Sequence, residues 1–278
     1  MMTRTPSAAA DAAQRPPVDL PAYFARVGYT GPAEPTAAVL AALHLAHATH
    51  IPFENCDILL GRPIRLDLDS LQAKLVRGGR GGYCFEQNLL LAAVLEQIGF
   101  SVTRLAARVR YRATRVLPRT HMVALVRIDD AGWLADVGFG AEGLLLPVPF
   151  EPGRLARQFA WTYRLNAETG RWVLQSLHGA DWVDLYAFTL EPQEVADYEM
   201  ASHYVSTHPD SRFVQTLTAQ RMTIESRQVL RNGELVESRG AASTVRRVGD
   251  DEMLAVLATT FGLSFPPGTR FHYRVPSA

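Results

Sequence analysis

The stretch Arg77-Gly78-Gly79-Arg80-Gly81-Gly82-Tyr83-Cys84-Phe85-Glu86-Gln87-Asn88 decides how the first part of the chain is read. Four glycines in six residues cannot hold a regular element, so any preceding helix must stop there. From Phe85 onward Leu90, Leu91, Val94, Leu95 and Ile98 recur at helical spacing, and Gly99 supplies a stop. The spacing therefore predicts a helix with Cys84 in its first turn. There, unpaired backbone N–H groups and the helix dipole favour a negative charge, and Arg77 and Arg80 lie just upstream. A cysteine so placed is favoured as a thiolate, the nucleophilic form. The competing reading is a buried, inert cysteine.

Upstream, Ala22 to Val27 reads as a short amphipathic helix ended by Gly28. Thr36 reads as the cap of a longer helix through Ala37, Leu40, Leu43, Leu45 and Ala48, stopped by Pro52. Ser70 is the expected cap for Leu71 to Val76. Downstream the period changes to that of strands: Val102 to Tyr111, then His121 to Ile128, a turn at Asp129 to Gly132, and Trp133 to Val137. Ala160 to Leu165, Trp172 to Leu177 and Trp182 to Phe188 continue the pattern, which points to a barrel or strongly bent sheet. Glu191 to Tyr204 reads as a helix with Pro192 in its first turn. Met222 to Leu230 and Glu234 to Ser238 read as a hairpin around Asn232-Gly233, and Asp250 to Phe261 as a last helix ended by Gly262. Helices, then strands, then a mixed segment is an α+β order.

The 278 residues are 47% hydrophobic and 20% charged with zero net charge, ordinary globular material with no electrostatic footprint for nucleic acid. No stretch approaches the roughly 18 apolar residues of a membrane span. Residues 1–17, alanine-rich with scattered Arg and Pro, read as a disordered leader; a transit peptide, from Arg4, Arg15 and the low acidity, is the lesser alternative. Two cysteines make no disulfide framework, so a reducing, cytoplasmic setting is expected and Cys56 reads as a small core residue.

A thiolate enzyme needs a base beside its nucleophile and a third group to hold that base. His121 and Asp136, on the two arms of the predicted hairpin, are of the right types. A turn over Asp129 to Gly132 pairs Ile128 with Trp133, however. The two side chains then share a face but lie four residues apart, ~13 Å along the strands. Other motifs carry less. His44, His47 and His50 lack the glutamate of a zinc-helix motif and read as surface or half-buried histidines, so no metal is assigned. Two Arg-Gly-Gly units in a chain of zero net charge are not an RNA tract. The glycine loop lacks a Gly-Lys-Ser/Thr ending, and Gly138-Phe139-Gly140 lacks dinucleotide-motif spacing.

Several blocks then occur in one order: Tyr23-Phe24-Ala25-Arg26-Val27-Gly28-Tyr29, Ile51-Pro52-Phe53-Glu54-Asn55, Arg80 through Asn88, Thr120-His121-Met122-Val123, Asp136-Val137-Gly138-Phe139-Gly140, and Ser206 through Phe213. Together they resemble the arylamine N-acetyltransferase family, bacterial type, over nearly the whole chain after the leader. The resemblance implies a papain-like cysteine transferase fold: a helical bundle over residues 18–100, a central β-barrel over 101–204 and an α/β lid over 205–278. It implies a triad of Cys84, His121 and Asp136, and hence the contact that the hairpin register denies. It implies acetyl-CoA as co-substrate with no tightly bound cofactor, a ping-pong reaction through an acetyl-cysteine, and an arylamine, hydrazine or arylhydroxylamine acceptor, as in xenobiotic metabolism. Phe53 and Phe139 are implied to line the acceptor pocket, and Gly138 and Gly140 to let the pantetheine arm approach. A homodimer is compatible with it. An amide synthase of the same fold, joining an acyl chain to an aryl amine in natural-product assembly, is the alternative. Cys56 stands where a leucine is common in that family, and Ala141 where many bacterial members carry glycine.

Overall fold

The structure, a computed structural model, describes residues 17–272. The expected leader thus lies outside the described residues apart from Pro17. The first helices follow their sequence signals. In α1 (Leu20–Val27) the Asp19 carboxylate accepts the Ala22 N–H at 3.0 Å, and Gly28 closes the helix at φ 68°. In α2 (Ala37–His50) the Thr36 hydroxyl accepts the Val39 N–H. A two-residue strand β1 (Phe53–Glu54) and a single turn α3 (Cys56–Leu59) follow. The cap of the next helix is Asp67, not Ser70. Its carboxylate takes the Ser70 N–H, starting α4 (Leu68–Leu71) one turn earlier than expected, and the chain then widens into a π turn over Gln72–Arg77. Helix α5 (Cys84–Ile98) begins at the cysteine and ends at Gly99, φ 108°.

An eight-stranded antiparallel sheet comes next: β2 (Ser101–Val109), β3 (His121–Ile128), β4 (Ala131–Ala135), β5 (Val148–Pro149), β6 (Leu155–Gln158), β7 (Trp161–Glu168), β8 (Arg171–His178) and β9 (Asp181–Pro192). Their order is β5-β4-β3-β2-β9-β8-β7-β6, and a bridge from Pro152 to Leu165 nearly closes the sheet on itself. Pro192 therefore ends a strand rather than starting a helix, and α6 begins later, at Val195–Thr207. Strand β3 is buried on both faces. Val123 and Leu125 point into the barrel core with Leu105, Leu174 and Tyr186, while Ala124 and Val126 pack on the helices with Leu90 and Val94.

After a short turn α7 (Arg212–Gln215), the last segment adds β10 (Thr218–Met222), β11 (Arg227–Arg231), β12 (Glu234–Arg239), β13 (Ala242–Arg247) and α8 (Met253–Phe261). The expected strand Met222 to Leu230 is in fact broken by a turn over Thr223–Ser226, in which the Thr223 hydroxyl accepts the Glu225 and Ser226 N–H groups. The second sheet runs β1-β10-β11-β12-β13, so its first strand comes from the helical part of the chain. Helix α8 covers it through Val256, Leu257 and Phe261 against Leu217, Ala219 and Leu230. Among the described residues no helix is long and apolar enough to cross a membrane.

Candidate active site

Three things bring Cys84, His121 and Asp136 together. First, α5 lies against β3, and Cys84, at the helix start, packs beside Met122 while its Sγ sits 3.6 Å from the Thr120 carbonyl. Second, the hairpin turn is tighter than expected. Ile128 pairs with Ala131, not Trp133, because only Asp129 and Asp130 form the turn, with Asp129 at φ 50°. This shifts the register by two positions and moves Asp136 toward His121 by the length of two residues. Third, pairing between the strands stops at Ala124–Ala135, which frees Asp136 to bend. Its Oδ2 meets His121 Nε2 at 2.8 Å, with both side chains buried.

The carboxylate is held at every point. Its Oδ1 accepts from the Asn88 amide and from the Gly138 N–H, each at 2.9 Å. Asn88, one turn beyond Cys84, also donates to the Met122 carbonyl at 2.8 Å and accepts the Val137 N–H at 3.0 Å. It thereby ties the Cys84 helix to both arms of the hairpin. Burial opposes the charge on Asp136, but His121, Asn88 and the Gly138 N–H outweigh it and hold the acid below its usual range. For His121 burial likewise opposes the charge. The Asp136 carboxylate, its hydrogen bond and the Cys84 thiol within hydrogen-bonding reach outweigh it and raise the imidazole to about 10. The Tyr186 ring packs 4.9 Å from the His121 ring, and its buried hydroxyl completes no hydrogen bond.

The arginines upstream of Cys84 play a different part from the one their positions predicted. Arg80 turns away from the thiol and binds Glu54 Oε1 through Nε at 3.0 Å and Nη2 at 2.6 Å, with Asp57 at 3.3 Å. Lys74 bridges Asp57 and Glu86, each at 2.8 Å. Glu86 in turn accepts the Tyr83 N–H, and burial raises its carboxyl to about 7 against the pull of Lys74. Arg77 reaches only the Asp69 carbonyl, at 3.4 Å. This saturated cluster secures the glycine loop beneath the helix start.

Cys84 and His121 open onto a cavity of about 1380 Å³ between the barrel and the second sheet. Phe53 and Phe139 both line it: Phe53 packs against Phe213 at 5.9 Å, and Phe139 stands edge-on to His121 at 5.1 Å. Gly138 also lines it, but its need for glycine is set by the protein itself. An added Cβ would fall 2.6 Å from the Cys84 Cα. Gly140, at φ 84°, faces the Gln220 amide, whose Oε1 accepts the Ala141 N–H at 2.6 Å. Sequence reading assigns no role to Asn88, Tyr186, Phe213 or Gln220; only Asn88, one helical turn from the thiol, and Phe213, which ends the Ser206 block, carry a signal. It also misread His44 and His47, which are fully buried; His50 alone is exposed. Among the described residues no group of three or more His, Cys, Asp or Glu side chains is arranged to hold a metal ion. Cys56 is fully buried, as expected of a core residue.

A family model described as N-acetyltransferase matches residues 36–269. The arylamine N-acetyltransferase of Mycolicibacterium smegmatis is 39% identical over 253 residues, covering 88% of this chain and 92% of that protein. The solved arylamine N-acetyltransferase of M. tuberculosis superposes with a TM-score of 0.85 at 38% identity, covering 88% of this chain and 93% of the other. That of Mycobacterium marinum, solved in complex with CoA, gives 0.84 at 34% identity, covering 88% and 92%. The likeness runs through both sheets and through the helix that carries Cys84, and by it the chain belongs to the arylamine N-acetyltransferase family.

Proposed function

We propose that this chain transfers an acetyl group from acetyl-CoA to the nitrogen of an arylamine, hydrazine or arylhydroxylamine through an acetyl-Cys84 intermediate. The observation that carries the reading is the buried 2.8 Å His121–Asp136 contact, set beside Cys84 in one large cavity. With its imidazole stabilised as a cation, His121 takes the Cys84 proton and leaves a thiolate. The thiolate attacks the acetyl carbonyl, forming a carbon–sulfur bond and a tetrahedral oxyanion. First-turn N–H groups of α5, which have no intrahelical partner, are suited to bind that oxygen. Collapse breaks the bond to the CoA sulfur, which leaves with the proton from His121. The amine then attacks the Cys84 thioester, gives its proton to His121, and expels the thiolate.

The cavity supports two substrates in turn. At about 1380 Å³ it exceeds the roughly 300–1,000 Å³ of an ordinary small-molecule pocket. Phe53 and Phe139 offer aromatic walls near the thiol for a flat amine. Arg112, Arg212 and Arg231 line the same cavity and suit the phosphates of CoA. Burial, then the charges of Arg231 and Arg112, lower the Arg212 guanidinium from its ordinary value. The reading keeps the expected division into helices over residues 18–100, barrel over 101–204 and lid over 205–278, in a papain-like layout. Phe53–Glu54 is the exception, since it joins the lid's sheet. Two free cysteines and no disulfide suit a reducing, cytoplasmic setting.

Intact mass after incubation with acetyl-CoA and no amine tests the reading. The wild type should gain one acetyl group, lost again on adding aniline or a hydrazine, and Cys84→Ala should gain none. A wild type silent to acetyl-CoA and to other acyl-CoA donors would overturn it.

A further inference from the structure

His44 is fully buried on α2 and does not line the cavity, yet it touches the triad from behind. Its Nε2 accepts the Asp136 backbone N–H at 3.1 Å, across 92 residues of sequence. Its Nδ1 lies 3.0 Å from the Leu145 carbonyl. An N–H can only donate and a carbonyl can only accept, so the proton must sit on Nδ1 and the ring must be neutral. Burial supplies that condition: it pushes His44 down to about 4, against the opposing pull of its hydrogen bond to Leu145 and of Asp136. Leu145 is itself anchored, since Gln158 Oε1 accepts both the Leu145 and Leu146 N–H groups at 2.9 Å.

The position of Asp136 explains why such a bond is needed. Pairing of β3 with β4 ends at Ala135, so the Asp136 N–H has no partner in the ladder. It is buried, and without His44 it would be orphaned at the residue where the chain turns its carboxylate toward His121. With His44 in place every polar group of Asp136 facing the site is occupied: Oδ1 by Asn88 and Gly138, Oδ2 by His121, N–H by His44.

We propose that His44 is a positioning residue for the triad, fixing through the Asp136 main chain the angle at which the carboxylate meets His121. The proposal rests on the triad reading above. The titratable neighbours of His44 are Asp136 and, one turn along α2, His47; His121 lies beyond the carboxylate. His47 is pushed down to about 3, first by burial and then by His44 and Arg26, and so stays neutral beside it.

The test pairs two substitutions. His44→Phe keeps a ring but offers no acceptor; His44→Gln keeps an acceptor and a donor on one side chain. For each, with Cys84→Ala as the blank, the rate of Cys84 alkylation by iodoacetamide is followed against pH, alongside kcat, KM for acetyl-CoA and the melting temperature. The Phe variant should lose about 10–100-fold in kcat with KM unchanged. Its alkylation should rise with pH like that of an unpaired thiol, whereas the wild type stays reactive through neutral pH. The Gln variant should recover most of both. Should the Phe variant not fold, His44→Asn, too short to span both partners, takes its place. A wild-type alkylation profile and kcat in the Phe or Asn variant, at any melting temperature, would overturn the proposal, as would equal impairment of Phe and Gln variants. A wild type that itself alkylates like an unpaired thiol would overturn the triad reading, a separate and distinguishable failure.

Discussion

The two sides of the α5 N-terminus make opposite use of charge. Beneath it, Glu54, Asp57 and Glu86 meet Lys74, Arg80 and Arg62 in a network where each charged group has at least one partner of opposite sign. In front of it, one imidazole and one thiol face a cavity with one carboxylate buried behind them, and His121 is the only basic group of the three. The first arrangement is closed: every buried charge in it already has its partner, and removing a sole partner leaves a charge stranded, which is costly. The second is open on one side, toward the cavity. Charge density alone does not separate structure from chemistry. What separates them is whether the set is complete.

If that contrast is correct, substitutions on the two sides should separate cleanly. The largest effect belongs to Asp136→Asn. Losing the charge while keeping the shape should lower kcat/KM about 10³–10⁴-fold, as expected when the orienting acid of such a triad becomes an amide. Steady-state kinetics at saturating amine measure it, and a loss below tenfold would break the comparison. Arg80→Met should act on stability instead. It strands the fully buried Glu54 carboxylate and should cost about 3–5 kcal/mol by urea denaturation. Its rate per folded molecule should hold, and a rate loss without a stability loss would erase the distinction.

The pH dependence of stability sharpens the same comparison. His121 has its pKa raised by folding, so the stability it contributes is fully present below its unfolded value near 6.5. It should fade as pH climbs through about 10. Asp136 is lowered, so its share is present above the ordinary carboxylate value and fades as pH falls. Against His121→Gln, the wild type should therefore hold its greatest advantage in mildly acidic buffer and lose it in alkali. Chemical denaturation at a series of pH values reads this directly; an advantage that grows toward pH 10 has the wrong sign. The smallest effect is expected among the arginines that line the cavity. Arg212→Ala should raise KM for acetyl-CoA by about tenfold or less while leaving kcat alone, the loss of one charge-assisted contact of about 1.5 kcal/mol or less. A fall in kcat instead would move Arg212 from binding to chemistry.

What could be read from residues alone follows from what is local. The helix carrying Cys84 was readable because glycines, a 3.6-residue period and Gly99 all lie within one stretch. The His121–Asp136 contact was not, since it depends on a left-handed Asp129 that shortens the turn by two residues, and Asp is no strong signal for that conformation. The expectation for Arg80 failed because sequence neighbours are not spatial ones: its partner Glu54 lies 26 residues back. His44 and His47 read as surface or half-buried yet are fully buried, because α2 is apolar around most of its circumference and composition does not say which side faces the barrel. Strand β13 was missed for the converse reason. Every residue from Ala242 to Arg247 is exposed, so no alternation marks it.

The pairing of β1 with β10 also bears on how the molecule comes into being. Asn55, just past β1, accepts the Thr218 N–H at 2.8 Å across 163 residues, and Phe53 pairs with Gln220. During synthesis at about 5–20 residues per second, the segment bearing Phe53 must wait about ten seconds or more for its partner strand to leave the ribosome. Until then the aromatic wall beside Cys84 has its bridge to Gly82 but lacks its support from the second sheet. A chain released early, or clipped after the barrel, would carry Cys84, His121 and Asp136 and yet lack the floor of the cavity onto which Cys84 and His121 open.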